Sequence, residues 1–390
     1  MPVKNRFAEM LPEIVAWRHD FHAHPELQYD VHRTASRVAE LLREFGVDEV
    51  HEGIGRTGVV GVIHGRSNTN DRVIGLRADM DALPITEATG LDYASTIPGK
   101  MHACGHDGHT SMLLGAAKYL CETRNFDGTA ILIFQPAEEG QAGARAMLED
   151  GLADRWNIQE FYGLHNMPGI PVGQFAICEG GMMASADEFE ITVTGRGGHA
   201  AQPQMGTDTM LTAAHIIVAL QSVVSRNVDP LKSGVISCCV VDSDSTAYNV
   251  IPETVTIRGT ARSLDADTRE LQADALRRVA QNTAQALGAT AKVQYNRGYP
   301  VTINHPEPTQ HAVNVAKAVA GEGNVDPETA PIMASEDFSF MLERRPGAYI
   351  FLGNGDSAPL HHPKYIFSDD AIPFGASWLS GMIETRMPAA

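Results

Sequence analysis

Apolar residues recur along the chain in two rhythms. Four short runs, GVVGVIH (58–64), VIGLR (73–77), TAILIFQ (129–135) and AYIFLG (348–353), are nearly continuous in β-branched or aliphatic residues and stop near Gly or a charge. That is the pattern of strands buried on both faces. Between them, apolar positions return at helical spacing. Residues 33–45 place Val38, Leu41, Leu42 and Phe45 on one face, and residues 108–122 do the same with Met112, Leu113, Ala116 and Leu120. Strands alternating with helices predict an α/β class with a mostly parallel sheet.

The middle of the chain changes rhythm. FEITVTG (189–195) alternates apolar and polar residues, as a strand with one wet face does. After it the pattern predicts a helix from about Thr207 to Val224, strands at VISCCVV (235–241) and TVTIRGTAR (254–262), and an amphipathic helix from about Asp267 to Leu287. Two helices on an antiparallel sheet make an α+β unit. Buried-strand patterns flank it on both sides, so it reads as an insertion. The expected division is residues 1–184 and 298–390 for the α/β part and 185–297 for the inserted satellite.

Composition narrows the function. The 30 Lys+Arg against 48 Asp+Glu leave a formal charge of −18, which argues against a nucleic-acid partner and against an anionic membrane surface. Hydrophobic residues at 43% and charged residues at 20% suit a globular chain with a real core. Five cysteines in 390 residues make a disulfide scaffold improbable and fit a reducing compartment. MPVKNRFAEM has no apolar stretch after its basic residues, and no run reaches the ~18 apolar residues of a membrane span. The expectation is a cytoplasmic protein with no membrane partner.

Four segments carry candidate chemistry. MHACGHDGHT (101–110) places Cys104 and His106 two residues apart, so in an extended backbone both side chains can face one point. A thiolate and an imidazole are good ligands for zinc-like metals, although a buried Cys at a polar helix entry would look the same. QPAEEG (135–140) puts Glu138 and Glu139 just past a buried strand, the end where open α/β sheets bind ligands. Adjacent Glu residues point different ways, so one can bind metal while the other faces a water. Alone, the pair reads equally as a solvated acidic turn. His165 in YGLHN (162–166) and the pair in LHHP (360–363) each follow an apolar run. A single His there is usually structural, but the set together could furnish a two-metal site.

In the inserted unit, GRGGHAAQP (195–203) places His199 after two glycines, in a flexible turn. Asn249 lies just before a strand, and Arg262 ends that strand. Arg and Asn can grip a carboxylate, while an Asx-turn and a surface ion pair are the plainer readings. Cys121, Cys178, Cys238 and Cys239 read as buried small apolar residues, with Cys238 and Cys239 on opposite faces of one strand. His19, His22, His24, His32 and His51 read as surface or structural.

Taken in order, HAHPEL (22–27), RADMDALP (77–84), MHACGHDGHT, QPAEEG, GLHN, GGHAAQP, YNVIPE, SEDF (335–338) and LHHPKY (360–365) resemble the dinuclear metallo-amidohydrolases of the aminoacylase and carboxypeptidase family. The branch that looks most similar holds hippurate hydrolase, indoleacetyl-amino-acid hydrolases and other N-acyl-amino-acid amidohydrolases. The resemblance covers nearly the whole chain. It implies an α/β catalytic domain with two divalent metals per subunit, zinc or manganese ahead of cobalt or nickel. It also implies an inserted satellite that acts as a lid and in dimerisation, hence a homodimer or homotetramer. Cys104, His106, Glu139, His165 and His361 match metal ligands, with His362 as the alternative to His361, and Glu138 matches the general base. Asp79 and Asp81 match groups that orient ligands. His199 matches a carbonyl-polarising His often contributed by the partner subunit, and Asn249 and Arg262 match carboxylate-recognition positions. Gln204 departs from the pattern, in which relatives carry His.

The implied activity is amide hydrolysis of a small N-acyl amino acid, hippurate-like or N-acetyl, to a carboxylic acid and a free amino acid. A dipeptidase, a diaminopimelate-type deacetylase, a cysteine hydrolase using Cys104 and a non-catalytic metal-binding protein remain open alternatives at this point.

Overall fold

The computed structural model describes residues 5–389, so the first four residues of the N-terminal stretch read above lie outside the described residues. The chain divides into two compact units. One comprises the chain up to Gly180, Ile303–Ala330 and the chain from Asp337 onward; the other comprises Gly181–Thr302 and Pro331–Glu336.

The first unit is built on a mixed sheet whose centre is parallel. Its strands include β1 (Glu49–Ile54), β2 (Gly58–His64), β3 (Val73–Asp79), β4 (Thr129–Gln135) and β5 (Glu160–Pro168). The order runs β1-β2-β4-β3-β5 and continues through Gly347–Gly355, Phe175–Ala176 and Val325–Asp326. β4, β3, β5 and Gly347–Gly355 are mutually parallel, whereas β1 and β2 are antiparallel additions at one side. Every residue of β4 is buried, as its unbroken apolar run requires of a strand covered on both faces. Helices α1 (Asn5–Ala23), α2 (His32–Glu44) and α3 (His106–Thr123) belong to the same unit. α3 packs on α1 and on the helix Ile372–Arg386. The parallel strands all point their carboxyl ends the same way, and Asp79, Gln135 and His165 lie at or near those ends.

The second unit is a four-stranded antiparallel sheet in the order Gly234–Ser243, Thr254–Ser263, Ala186–Thr194, Thr290–Tyr299. Ala186–Thr194 alternates buried and more exposed residues, with Asp187, Phe189, Ile191 and Val193 inward. The helices Thr209–Arg226 and Ala266–Ala286 cover that face. Ile216, Leu220 and Val223 of the first helix and Leu276 and Ala280 of the second meet Ile191, Val193, Val255 and Ile257 in one apolar core. Thr209–Arg226 is long and apolar enough to cross a membrane by length and composition. Its packing on the sheet buries 33% of that helix.

Two details differ from the sequence reading. Of the four cysteines read as buried, Cys121, Cys178 and Cys238 are half-buried and Cys239 is exposed. The pairing of Gly234–Ser243 with its neighbour shifts between Cys238 and Val240, and such a bulge turns Cys239 outward. His199 does not sit in a free turn: Gly198–His199 is a short strand paired with Val250–Ile251.

Candidate metal centre

Four segments distant in sequence meet at the carboxyl ends of the parallel strands. Cys104, His106 and His165 each offer a ligand atom within 4.8 Å of the others, and so do two further sets, Cys104–Glu139–His361 and His106–Glu138–Glu139. The sets overlap at Cys104, His106 and Glu139. Cys104 Sγ lies 3.4 Å from His165 Nε2, and His361 Nε2 lies 3.2 Å from Glu139 Oε1.

Local backbone explains the arrangement. Gly105 enters α3 with φ 89°, and a Cβ there would fall 2.3 Å from Asn166 Oδ1 and 2.6 Å from the Tyr365 hydroxyl. Only glycine combines that dihedral with that closeness. The turn lets Cys104 and His106 face one space from either side of the helix start. After β4 the chain bends sharply, with Ala137 at φ 55° and Gly140 at φ 86°. The Asp81 carboxylate accepts the amide hydrogens of Glu138 at 3.0 Å and Glu139 at 3.1 Å and so fixes that bend. His361 has φ 63°, and its amide donates to the Ala103 carbonyl at 2.8 Å, tying its loop to the Cys104 segment. His362 points elsewhere: its Nδ1 accepts the Lys364 amide at 3.1 Å.

The imidazoles are oriented to present lone pairs. His106 Nδ1 donates to the Asp81 carbonyl at 2.8 Å, and His165 Nδ1 donates to the Asn166 carbonyl at 2.7 Å. In both rings this leaves Nε2 facing the cluster, the arrangement in which a metal-binding His is locked by its other nitrogen. His106 Nε2 is buried and has no hydrogen-bond partner among the described residues. Burial, followed by the charges of His109 and others, drives His165 well below its ordinary value and keeps it neutral. Burial opposes the charged form of His106 too, yet Asp79, Asp81 and Glu139 outweigh it and push it up to about 10. A negative field strong enough to hold a proton there is equally a field for a cation. A buried orphan nitrogen, a neutral imidazole, a thiol and carboxylates on one small space fit a zinc-like ion.

A layer of buried partners lies behind the cluster. Asp79 accepts from Arg77 Nη1 at 2.7 Å and from His109 Nδ1 at 2.6 Å. Burial opposes its ionisation, but Arg77 and the two histidines hold its carboxyl well below the usual range. Arg77 also reaches Asp337 at 3.0 Å, and Asp337 accepts the Ala144 amide at 2.9 Å. His109 Nε2 meets Asn166 Oδ1 at 2.7 Å. His109 and Asp337 had no role in the sequence reading. The signals available were the three-residue spacing of His106 and His109 on a helix and the SEDF run.

In the second unit, His199 and Asn249 lie together. His199 is in register with Val250, and the Asn249 carbonyl accepts the Ala200 amide at 2.9 Å. Arg262 donates to the Thr260 hydroxyl and to the Ala261 carbonyl. It stands eight positions beyond Thr254 on the strand Thr254–Ser263 (262 − 254 = 8), roughly 26 Å of extended chain. Within one chain Arg262 is therefore about a strand's length from His199 and Asn249.

A parallel-centred α/β sheet with a Cys–His–Glu cluster at its carboxyl edge is the architecture of a metallohydrolase. The model of peptidase family M20/M25/M40 matches residues 75–385, and the chain belongs to this family. Hippurate hydrolase from Campylobacter jejuni is 46% identical over 361 residues, 93% of each chain. N-acetylcysteine deacetylase from Bacillus subtilis is 37% identical and covers 94% of this chain and 95% of its own. A solved Bacillus subtilis structure described as a dinuclear metal-binding peptidase of the M20 family superposes with a TM-score of 0.85. Its sequence identity is 32%, over 97% of this chain and 99% of that one.

Proposed function

We propose that the protein is a metal-dependent amidohydrolase that splits N-acyl amino acids into a carboxylic acid and a free amino acid. The observation that carries the reading is the pair at the end of β4. Glu139 shares a ligand set with Cys104 and His361, and Glu138 sits buried beside it in a set with His106; in this reading Glu139 coordinates and Glu138 handles the proton. The relatives named for hippurate and N-acetylcysteine support an N-acyl amino acid as substrate.

Cys104, His106, Glu139, His165 and His361 are the ligands of two divalent ions in this proposal. Three overlapping sets, rather than one, support two adjacent positions. Divalent ions held by these residues would supply a Lewis acid for the scissile carbonyl and would lower the pKa of a nearby water from ~15.7 toward ~7. Glu138 takes the proton of the attacking water and returns it to the leaving amine. The thiol among the donors favours zinc over magnesium or calcium, and the imidazole and carboxylate donors also suit manganese, cobalt or nickel.

His199 stabilises the oxyanion and Asn249 and Arg262 bind the substrate carboxylate. Because His199 and Asn249 lie far from Arg262 in one chain, the proposal places them in the site of a second copy, in a homodimer. Gly234–Ser243 is an edge strand with Val240 and Val241 exposed, and the adjacent helix exposes Met210, Leu211 and Val218. Those residues support a self-association surface. A cytoplasmic location belongs to the same proposal, supported by five cysteines that form no disulfide among the described residues.

The test is a panel of N-acetyl, N-benzoyl and N-indoleacetyl amino acids plus dipeptides, run with zinc- or manganese-reconstituted protein. Turnover of at least one N-acyl amino acid is expected. Cleavage of dipeptides alone contradicts the substrate class.

A further inference from the structure

At the first turn of α3, against α1, lies a second group of charges that the hydrolytic reading does not use. Asp107 is fully buried and follows His106 directly in the first turn of the helix. Its Oδ2 accepts from Arg18 Nη1 at 3.0 Å and from His22 Nδ1 at 2.8 Å, both on α1. His22 Nε2 faces Glu87 Oε1 at 3.3 Å. A carboxylate only accepts, so a ring held between two carboxylates donates from both nitrogens. Arg18 donates in turn to Asp369 at 2.5 Å.

The group is incomplete as protein alone. Arg18 Nη2, Asp107 Oδ1 and both ring nitrogens of His102 are buried with no hydrogen-bond partner among the described residues. The His102 ring lies 6.2 Å from that of His22. A guanidinium donor, a carboxylate acceptor and a ring with one donor and one acceptor are the complement of water, and buried polar groups in folded proteins are satisfied by protein or by enclosed water. A buried ionic group costs desolvation and is weak evidence of a stability role. This one is attached to the residue next to a candidate ligand.

We propose that Asp107 is a positioning residue for His106. Its carboxylate, clamped by Arg18 and His22 and completed by enclosed water shared with His102, fixes the first turn of α3 and thereby the direction in which His106 presents Nε2. The inference rests on the metal reading above, in which His106 is a ligand. Groups that orient ligands in this way typically contribute about 10–100-fold in metal affinity.

The test uses the full chain and zinc alone, with affinity read by competition against a chromophoric chelator. Asp107→Asn keeps shape and removes the charge; its zinc Kd is expected to rise about 10–100-fold while circular dichroism shows a folded protein. Asp107→Glu, which restores the charge, is expected to recover part of that loss. His102→Phe, which removes the water's partners, is expected to raise Kd by a smaller factor. Should Asp107→Asn fail to fold, His22→Gln carries the same test, since Gln is uncharged and holds both its donors on one nitrogen rather than at the two ends of a ring. Wild-type zinc affinity in the folded Asp107→Asn or His22→Gln protein overturns the positioning role and leaves the hydrolase reading intact. A wild-type chain that binds no zinc, manganese, cobalt or nickel overturns both.

Discussion

Asp81 and Glu138 lie 57 residues apart, yet the Asp81 carboxylate accepts the Glu138 amide hydrogen at 3.0 Å. The same carboxylate holds the Glu139 amide, and the Asp81 carbonyl holds the His106 ring. One residue thus aligns the candidate base and two candidate ligands. Asp81→Ala orphans two amide hydrogens, at ~1–3 kcal/mol each where buried. The expected outcome is a lower Tm and a zinc Kd raised about 10–100-fold, read by calorimetry and chelator competition.

Glu138→Gln separates coordination from proton transfer. The variant should bind metal as tightly as wild type, and kcat on a cleaved N-acyl amino acid should fall by ~10²–10⁴. Full activity in that variant removes Glu138 from the base role.

The His22 contact gives stability a pH dependence. Burial opposes its charge, but Asp107 and Glu87 outweigh it and push the ring up to about 9. The folded value lies above the ~6.5 of an unfolded His. Its contribution is therefore complete below ~6.5 and is lost as pH rises through about 9. Urea unfolding from pH 6.5 to 10 should show wild type losing on the order of 3 kcal/mol or less, with His22→Gln losing correspondingly less across the same range.

Gly105→Ala puts a Cβ against the buried Asn166 and Tyr365 side chains at φ 89°. Strain of this kind costs ~1–3 kcal/mol. The expected readout is a lower unfolding midpoint together with weakened zinc binding, because Cys104 and His106 flank the turn.

Val218 is 71% exposed on a helix beside the exposed edge strand that carries Val241. Val218→Asp combined with Val241→Asp should convert a two-chain species into a single chain in light scattering. In the dimer proposed here, turnover falls with it, since His199 and Asn249 then lose their site.

Much of this architecture was readable from the chain. TAILIFQ is buried at every position because a strand covered on both faces leaves no polar position, and an unbroken apolar run signals that. The carboxylates just after it were legible for the same reason, since a parallel sheet puts functional groups past its strand ends. Cys104 and His106 were legible through their close spacing. His109 and Asp337 were not. Each acts through a buried partner 30 or more residues away in sequence, Asp79 for one and Arg77 for the other, and local periodicity carries no trace of such a pairing. The separation of Arg262 from Asn249, by contrast, followed from the strand TVTIRGTAR predicted between them, which spans roughly 26 Å when extended.

Metal content measured on active protein tests the central claim most directly. Two divalent ions per chain by elemental analysis are expected, with hydrolysis of an N-acyl amino acid abolished by chelation and restored by adding the ions back. Full turnover by protein that contains no metal would contradict the account.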